Sequence, residues 1–203
     1  LNWRYATKKF DSDKKISSED LDQLLESVQL TASSYGLQPY EIIVVENPEV
    51  REKLKAEAWN QTQITEASHL VIFANLTKVT EKYVDTYLDN IAATRDMSRE
   101  DLKGMEDMIK STTLQLPQEK QNLWAAKQAY IALGNLLAAA AHMKIDACPM
   151  EGFNADKFDE ILQLENKDLT TAVIAPIGYR SAEDQYQHLA KVRKSTSDLI
   201  HFI

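Results

Sequence analysis

Cysteine is nearly absent from this chain of 203 residues: Cys148 stands alone. No internal disulfide can form, which fits a reducing, cytoplasmic setting. With Pro149 beside it and His142 as the nearest histidine, Cys148 reads as a small buried residue rather than a nucleophile. Long apolar runs are also missing. The longest, Ile131 to Ala141, is interrupted by Asn135 and is too short to cross a bilayer. No signal peptide is visible, and because the chain opens at Leu1 rather than Met, a few preceding residues are expected. The common catalytic signatures are lacking as well. There is no G-x-G-x-x-G after a strand, no G-x-x-x-x-G-K-S/T loop, no H-E-x-x-H and no G-x-S-x-G elbow. The four histidines (His69, His142, His188, His201) lack ligand spacing, so no metal site is expected. A formal net charge of -8 argues against general affinity for nucleic acid or an anionic membrane.

What is present suits one soluble domain: 44% of residues are apolar and 27% charged, enough for a substantial core. Ser17-Ser18-Glu19-Asp20 starts an amphipathic helix whose Leu21, Leu24, Leu25 and Val28 share a face, ending near Leu30. Tyr40 to Val45 reads as a strand, and Asn47-Pro48 opens a helix through about Ala58. Leu70 to Ala74 reads as a strand buried on both faces. Residues 80 to 114 form a polar helical excursion, with Gly104 as a break and too few apolar residues for a core of their own. Pro117 opens a long helix that carries Trp124, Tyr130 and the alanine run Ala138 to Ala141. Asn154 caps a short helix, Thr170 to Ile177 is a third strand, and Ser181-Ala182-Glu183-Asp184 reads as a capping box. The fold class is α+β: a small mixed or antiparallel sheet surrounded by helices, in a single domain over residues 1–203.

Three segments could carry chemistry. Arg4, Lys8 and Lys9 cluster at the start, and Lys191, Arg193 and Lys194 near the end. Converging, they could grip a dianionic phosphate, for which guanidinium is well shaped. The loop Thr31-Ala32-Ser33-Ser34-Tyr35-Gly36-Leu37-Gln38-Pro39-Tyr40 has small residues that let a flat ligand approach, and Gln38 can donate or accept along a ring edge. In Pro149-Met150-Glu151-Gly152-Phe153, the proline and glycine favour backbone N–H groups that face outward. Taken singly, these read as solvated charge, a polar loop and a packed turn.

Taken together, and in this order, they resemble FMN-dependent nitroreductases. The shared motifs are Arg4 to Phe10, Ser33-Ser34 with Gln38-Pro39-Tyr40, Asn60 before Ala67-Ser68-His69, Pro149 to Phe153, Pro176-Ile177-Gly178 and Lys191-Val192-Arg193. The branch that looks most similar is the oxygen-insensitive NAD(P)H nitroreductase and dihydropteridine reductase group. The resemblance implies a homodimer with two FMN sites at the subunit interface and NADH or NADPH as reductant. It implies that Arg4, Lys191 and Arg193 hold the phosphate, with backbone contacts from Tyr5 and Ala6. Lys8 and Asn60 would meet the pyrimidine edge, and Ser33 and Ser34 would come from the partner subunit. Glu151 and Gly152 would offer N–H groups at the N5 and O4 edge, and Lys8, Tyr35 and Gln63 would face nicotinamide and substrate.

In such an enzyme the flavin mediates ping-pong hydride transfer to nitroaromatics, quinones or pteridines, and no catalytic side chain is required. The alternatives are reduction of another acceptor, such as an enone or halogenated aromatic, or flavin binding without catalysis. The alanine run would pack at the dimer interface, and the apolar tail from Ser197 would join the partner's sheet as an extra strand. Tyr35 and Gly36 stand where family members carry Thr and Asn, Gln63 replaces a basic residue, and Ala6 lacks a hydroxyl.

Overall fold

The computed structural model describes residues 1–203. Helices begin where capping side chains stand. Ser17 accepts the Asp20 N–H at 3.1 Å and opens α1 (Ser18–Gln29). Asn47 accepts from Glu49 and Val50, with Pro48 as the first residue of α2 (Pro48–Ala56). The short α3 (Gln63–Glu66) has no side-chain cap. Thr80 caps α4 (Glu81–Arg95), which ends on a left-handed Asp96. After α5 (Lys103–Ile109) and a π-helical turn over Lys110–Leu114 comes the long α6 (Gln118–His142). Asn154 caps α7 (Ala155–Leu162), and α8 (Thr196–Leu199) is a single turn in the tail.

Four strands lie at the centre: β1 (Tyr40–Val45), β2 (His69–Leu76), β3 (Asp146–Ala147) and β4 (Leu169–Gly178). They pair antiparallel in the order β1-β2-β4-β3, with Ile43 opposite Ile72 and Ile72 opposite Ile174. The register of β2 on β4 shifts between Phe73 and Ala74. On one face, Val71, Phe73, Val173 and Ala175 pack with Leu24 and Val28 of α1 and with Leu133, Leu136 and Ala140 of α6. On the other, Leu70, Ile72 and Ile174 pack with Leu54, Ile64 and Phe158 from α2, α3 and α7. Because both faces are covered, β2 is buried along nearly its whole length, which is why it reads as a continuous apolar run. No helix is long and apolar enough to cross a membrane.

The structure differs from the sequence reading at four places. Gly104 lies inside α5, and the break falls earlier, at Asp96 to Leu102. Ser181 starts no helix. The capping residue there is Asp184, over a 3₁₀ turn at Gln185–His188. The excursion does have a buried cluster (Val84, Leu88, Ile91, Leu102, Ile109), which Leu37, Val79 and the half-buried Trp124 complete from outside it. The core is therefore shared with the body, which residue counting within the segment could not show. Half of the alanine run packs inside its own subunit, since Ala140 and Ala141 are buried while Ala138 is exposed.

Candidate functional site

The N-terminal segment runs as an extended strip beside β3, through a parallel bridge between Ala6 and Ala147. In an extended chain, successive side chains face opposite ways. Trp3 and Tyr5 accordingly flank the Arg180 guanidinium, with ring centroids 4.2 and 4.6 Å away, while Thr7 donates to buried Asp146 at 3.4 Å. Arg4 and Lys8, on the other parity, line a cavity of about 340 Å³ with Tyr5, Ala6, Lys191 and Arg193. The two chain ends meet directly, since the Lys191 ammonium donates to the Arg4 carbonyl.

No ion pair engages Arg4, Lys8, Lys191 or Arg193, although the nearby Arg180 and Lys9 are paired with Asp146 and Glu183. Burial and the Arg193 charge both pull Arg4 below its ordinary pKa. Burial, then Arg193 and Arg4, do the same to Lys191. Three converging cations that repel one another define a site complementary to a multivalent anion.

Next to this cavity, the chain leaves β3 through Cys148 and Met150, whose N–H groups donate to Pro176 and Ile174 of β4. The following N–H groups, of Glu151 and Gly152, donate to nothing in the chain. The Glu151 carboxylate accepts from the Tyr130 hydroxyl of α6 at 2.5 Å, which holds it aside. Gln61 donates to the Gly152 carbonyl at 2.8 Å, and a Cβ on Gly152 would fall 2.3 Å from the Trp59 ring. Trp59 and Asn60 are both left-handed (φ 54 and 55), an unusual pair for non-glycine residues. Asn60 stands between Trp59 and Gln61, the two residues that meet Gly152. Arg51 fixes this corner: its buried guanidinium donates to the carbonyls of Ile64, Ala67 and Ser68 at 2.6 to 3.1 Å.

The family model of the nitroreductases matches residues 1–179. A "Putative NAD(P)H nitroreductase" of Staphylococcus epidermidis is 39% identical over all of this chain and 94% of its own length. The chain belongs to the nitroreductase family. The same fold occurs in the crystal structure of a "putative NAD(P)H:FMN oxidoreductase" of Staphylococcus epidermidis. Its TM-score is 0.88 at 22% identity, over 100% of this chain and 93% of that one. Another, a "putative nitroreductase in complex with FMN" from Exiguobacterium sibiricum, has a TM-score of 0.82 at 20% identity, over 98% and 93%. Lys191 and Arg193 lie beyond the stretch that the family model matches, so in this nitroreductase their place at the cavity rests on the geometry.

The remaining expected residues lie elsewhere. Ser34 donates its N–H to Gln128 of α6 at 2.8 Å, while Tyr130 of the same helix meets Glu151. Two residues along a helix rotate by about 200°. The Ser33-Ser34 loop and the Glu151 turn therefore lie on opposite sides of α6, and one chain does not bring them together. Gln38 turns its amide to the Gln29 carbonyl at the end of α1. Gln63 is buried in α3. Tyr35 is left-handed (φ 58), and its hydroxyl lies 3.0 Å from that of Thr112 in the excursion. Gly36 has φ 77, and a Cβ there would fall 2.4 Å from the Tyr87 hydroxyl, which donates to the Tyr35 carbonyl. The Tyr35-Gly36 departure is thus matched to Tyr87 and Thr112 across the fold.

Sequence reading missed Asp146, Arg180, Asp184, Trp59, Gln61, Gln128 and Tyr130. Only Asp184 stands in a recognised motif, as the last residue of the capping box that begins at Ser181.

One hydrolase-like arrangement is closed off by packing. Ser68 Oγ lies 3.0 Å from His69 Nδ1, and His69 Nε2 lies 3.0 Å from Glu46 Oε1. Ser68 is buried, however, and its hydroxyl already accepts the Ile16 N–H at 2.8 Å. Burial holds His69 below its ordinary pKa, against the pull of Glu46. Ser68 and His69 form a buried, hydrogen-bonded pair that the exposed Glu46 closes from outside.

Proposed function

We propose that this nitroreductase is an FMN-dependent NAD(P)H oxidoreductase acting on nitroaromatics, quinones or pteridines, and that it works as a homodimer. The observation that carries the reading is the set of unpaired cations, Arg4, Lys191 and Arg193, around one cavity beside the free amides of Glu151 and Gly152. This donor set fits FMN at both ends, a dianion for the cations and ring acceptors for the amides. Arg4, Lys191 and Arg193 would hold the phosphate, with Tyr5 and Ala6 beside it. Lys8, exposed and unpaired, would set a positive charge at the pyrimidine edge, with Asn60 as a second polar contact. Bound FMN would supply hydride transfer, taking a hydride from NAD(P)H and giving it to an acceptor in alternate half-reactions. The chain's own task is orientation and electrostatics, because its donors are fixed before any ligand arrives. The Glu151 carboxylate, held by Tyr130, has no assigned role as an acid.

Three observations support a dimer. The Ser33-Ser34 loop cannot reach its own chain's Glu151 turn, so a partner must supply it if both line one flavin. β1 is a free sheet edge, and a groove of about 1070 Å³ runs between its Tyr40, Ile42 and Val44, α1 and α4. The tail exposes Leu199, Ile200, Phe202 and Ile203. A partner's tail laid on that edge would answer both exposures. Deleting residues 197–203 should then weaken the dimer and flavin retention together, measured by sedimentation and by absorbance at the flavin band.

The test of the function is purification followed by NADH and NADPH oxidation with a panel of acceptors that includes enones and halogenated aromatics. A yellow protein whose NAD(P)H oxidation requires a nitroaromatic, quinone or pteridine is the expected result. A preparation that stays colourless after adding FMN, or flavin binding without turnover, would overturn it.

A further inference from the structure

Asp184 is 2% exposed and close to the cation cavity, a costly place for a carboxylate. No cation neutralises it. Its Oδ2 accepts the Lys8 N–H at 2.8 Å, the Lys9 N–H at 3.1 Å and the Tyr5 hydroxyl at 2.9 Å. Its Oδ1 accepts the Tyr186 N–H at 3.0 Å. Three donors come from the N-terminal strip and one from the loop that leads to Lys191 and Arg193. Those two segments are about 180 residues apart in the chain. They also meet through the exposed Lys9–Glu183 ion pair, the Ser181 N–H on the Lys9 carbonyl at 3.0 Å and the Lys191 ammonium on the Arg4 carbonyl, and of these side-chain ties Asp184 is the buried one that takes donors from both segments.

We infer that Asp184 is a positioning residue for the phosphate grip, clamping the strip that carries Arg4 and Lys8 to the loop that carries Lys191 and Arg193. The inference rests on the reading of that cavity as the FMN phosphate site. The choice of partners gives the physical reason for a carboxylate here. A clamp built from an ion pair would consume a cation, as Asp146 consumes Arg180 in a bidentate contact one layer below. A clamp whose donors are backbone N–H groups and a phenol consumes none of Arg4, Lys8, Lys191 and Arg193. The negative charge of Asp184 is absorbed by four donors that would otherwise be free to drift. Removing it loosens the spacing of the cations without removing any of them, so its loss should act on recognition of phosphate and not of the flavin ring.

Riboflavin, which has the ring but no phosphate, separates the two. The apoprotein is titrated with FMN and with riboflavin by flavin fluorescence quenching. The wild-type chain should prefer FMN. Asp184→Asn should weaken FMN binding about tenfold, as expected for losing charge-assisted hydrogen bonds. Its riboflavin affinity should stay within about twofold. Tyr5→Phe removes one of the four donors and no backbone bond, and should weaken FMN about threefold with riboflavin unchanged. It decides the matter should Asp184→Asn fail to fold. Equal wild-type affinity for the two flavins overturns the phosphate reading and the inference with it. Clear wild-type preference with unchanged FMN binding in the variants overturns the inference alone. An equal loss of both flavins does so too, because it would make Asp184 a general support of the fold.

Discussion

Two regions of this protein use the same residue types in opposite ways. In the helical excursion, each of three cations meets two or three carboxylates. Arg99 faces Asp85, Asp89 and Glu106, Lys110 faces Asp85 and Glu106, and Lys103 faces Glu106 and Asp107. Where the chain ends meet, Arg4, Lys191 and Arg193 face one another and an open cavity whose lining holds no carboxylate. The first region satisfies these charges internally. The second keeps its charge for something outside the chain, and its apo form carries the repulsion. A cluster of Lys and Arg is therefore informative only once its counter-charges are known.

Removing charge should separate the two regions most sharply at the cavity. Arg4→Gln with Arg193→Gln should lower FMN affinity about a hundredfold or more, since each removes a charge-assisted contact. The melting temperature of the apoprotein should not fall, because the lost interactions were repulsive. A fall as large as that of an ion-pair mutant would break the comparison. In the excursion, Arg99→Ala should behave in the reverse manner. It should cost roughly 1 kcal/mol, or about 2–4 °C in Tm, with FMN affinity unchanged. The figure is modest because the side chain is partly exposed and one of its buried nitrogens, Nη1, has no acceptor.

Salt should sharpen the contrast further. Raising ionic strength from about 0.05 to 0.5 M should weaken FMN several-fold while riboflavin binding hardly moves, since only the phosphate meets the cations. The smallest effect concerns acid. Glu106 is held below the ordinary carboxylate pKa by its hydrogen bond to Lys110, against some desolvation. At Asp184 burial pushes upward, but donors from Lys8, Lys9, Tyr5 and Tyr186 outweigh it, and the net shift is also down. Both groups therefore contribute stability that is complete above their unfolded values, 4.5 and 3.8, and lost as pH falls through the lower folded ones. Added salt should move the acid transition read from Trp124 fluorescence, because Glu106 depends on ion pairs. It should leave acid release of FMN from the Asp184 region less altered once ordinary salt weakening is subtracted.

Much of the fold was legible because its signals are local. Ser17, Asn47 and Asn154 each cap the helix that follows, and β1 and the centres of β2 and β4 fall where apolar, β-branched runs stand. β3 was invisible because two residues have no periodicity, and Asp146 within it reads as surface until Arg180 arrives from 34 residues away. Asp184 was seen and misread, since its donors lie at the other end of the chain. Nothing local to Arg51 sets it apart from the other charges of α2, and only the carbonyls at the end of α3 reveal its role.

By itself, the sequence determined the helices with their caps, the strands of the sheet's centre, the family and the presence of basic residues at both ends. These follow from short-range rules in which a residue and its partner are a few positions apart. The tertiary structure alone decided which of those cations are paired and which are free. It also placed the Ser33-Ser34 loop and the Glu151 turn on opposite sides of α6. The physical reason is that a charge has no meaning for binding until its nearest neighbours are fixed, and here they are fixed across nearly the whole length of the chain.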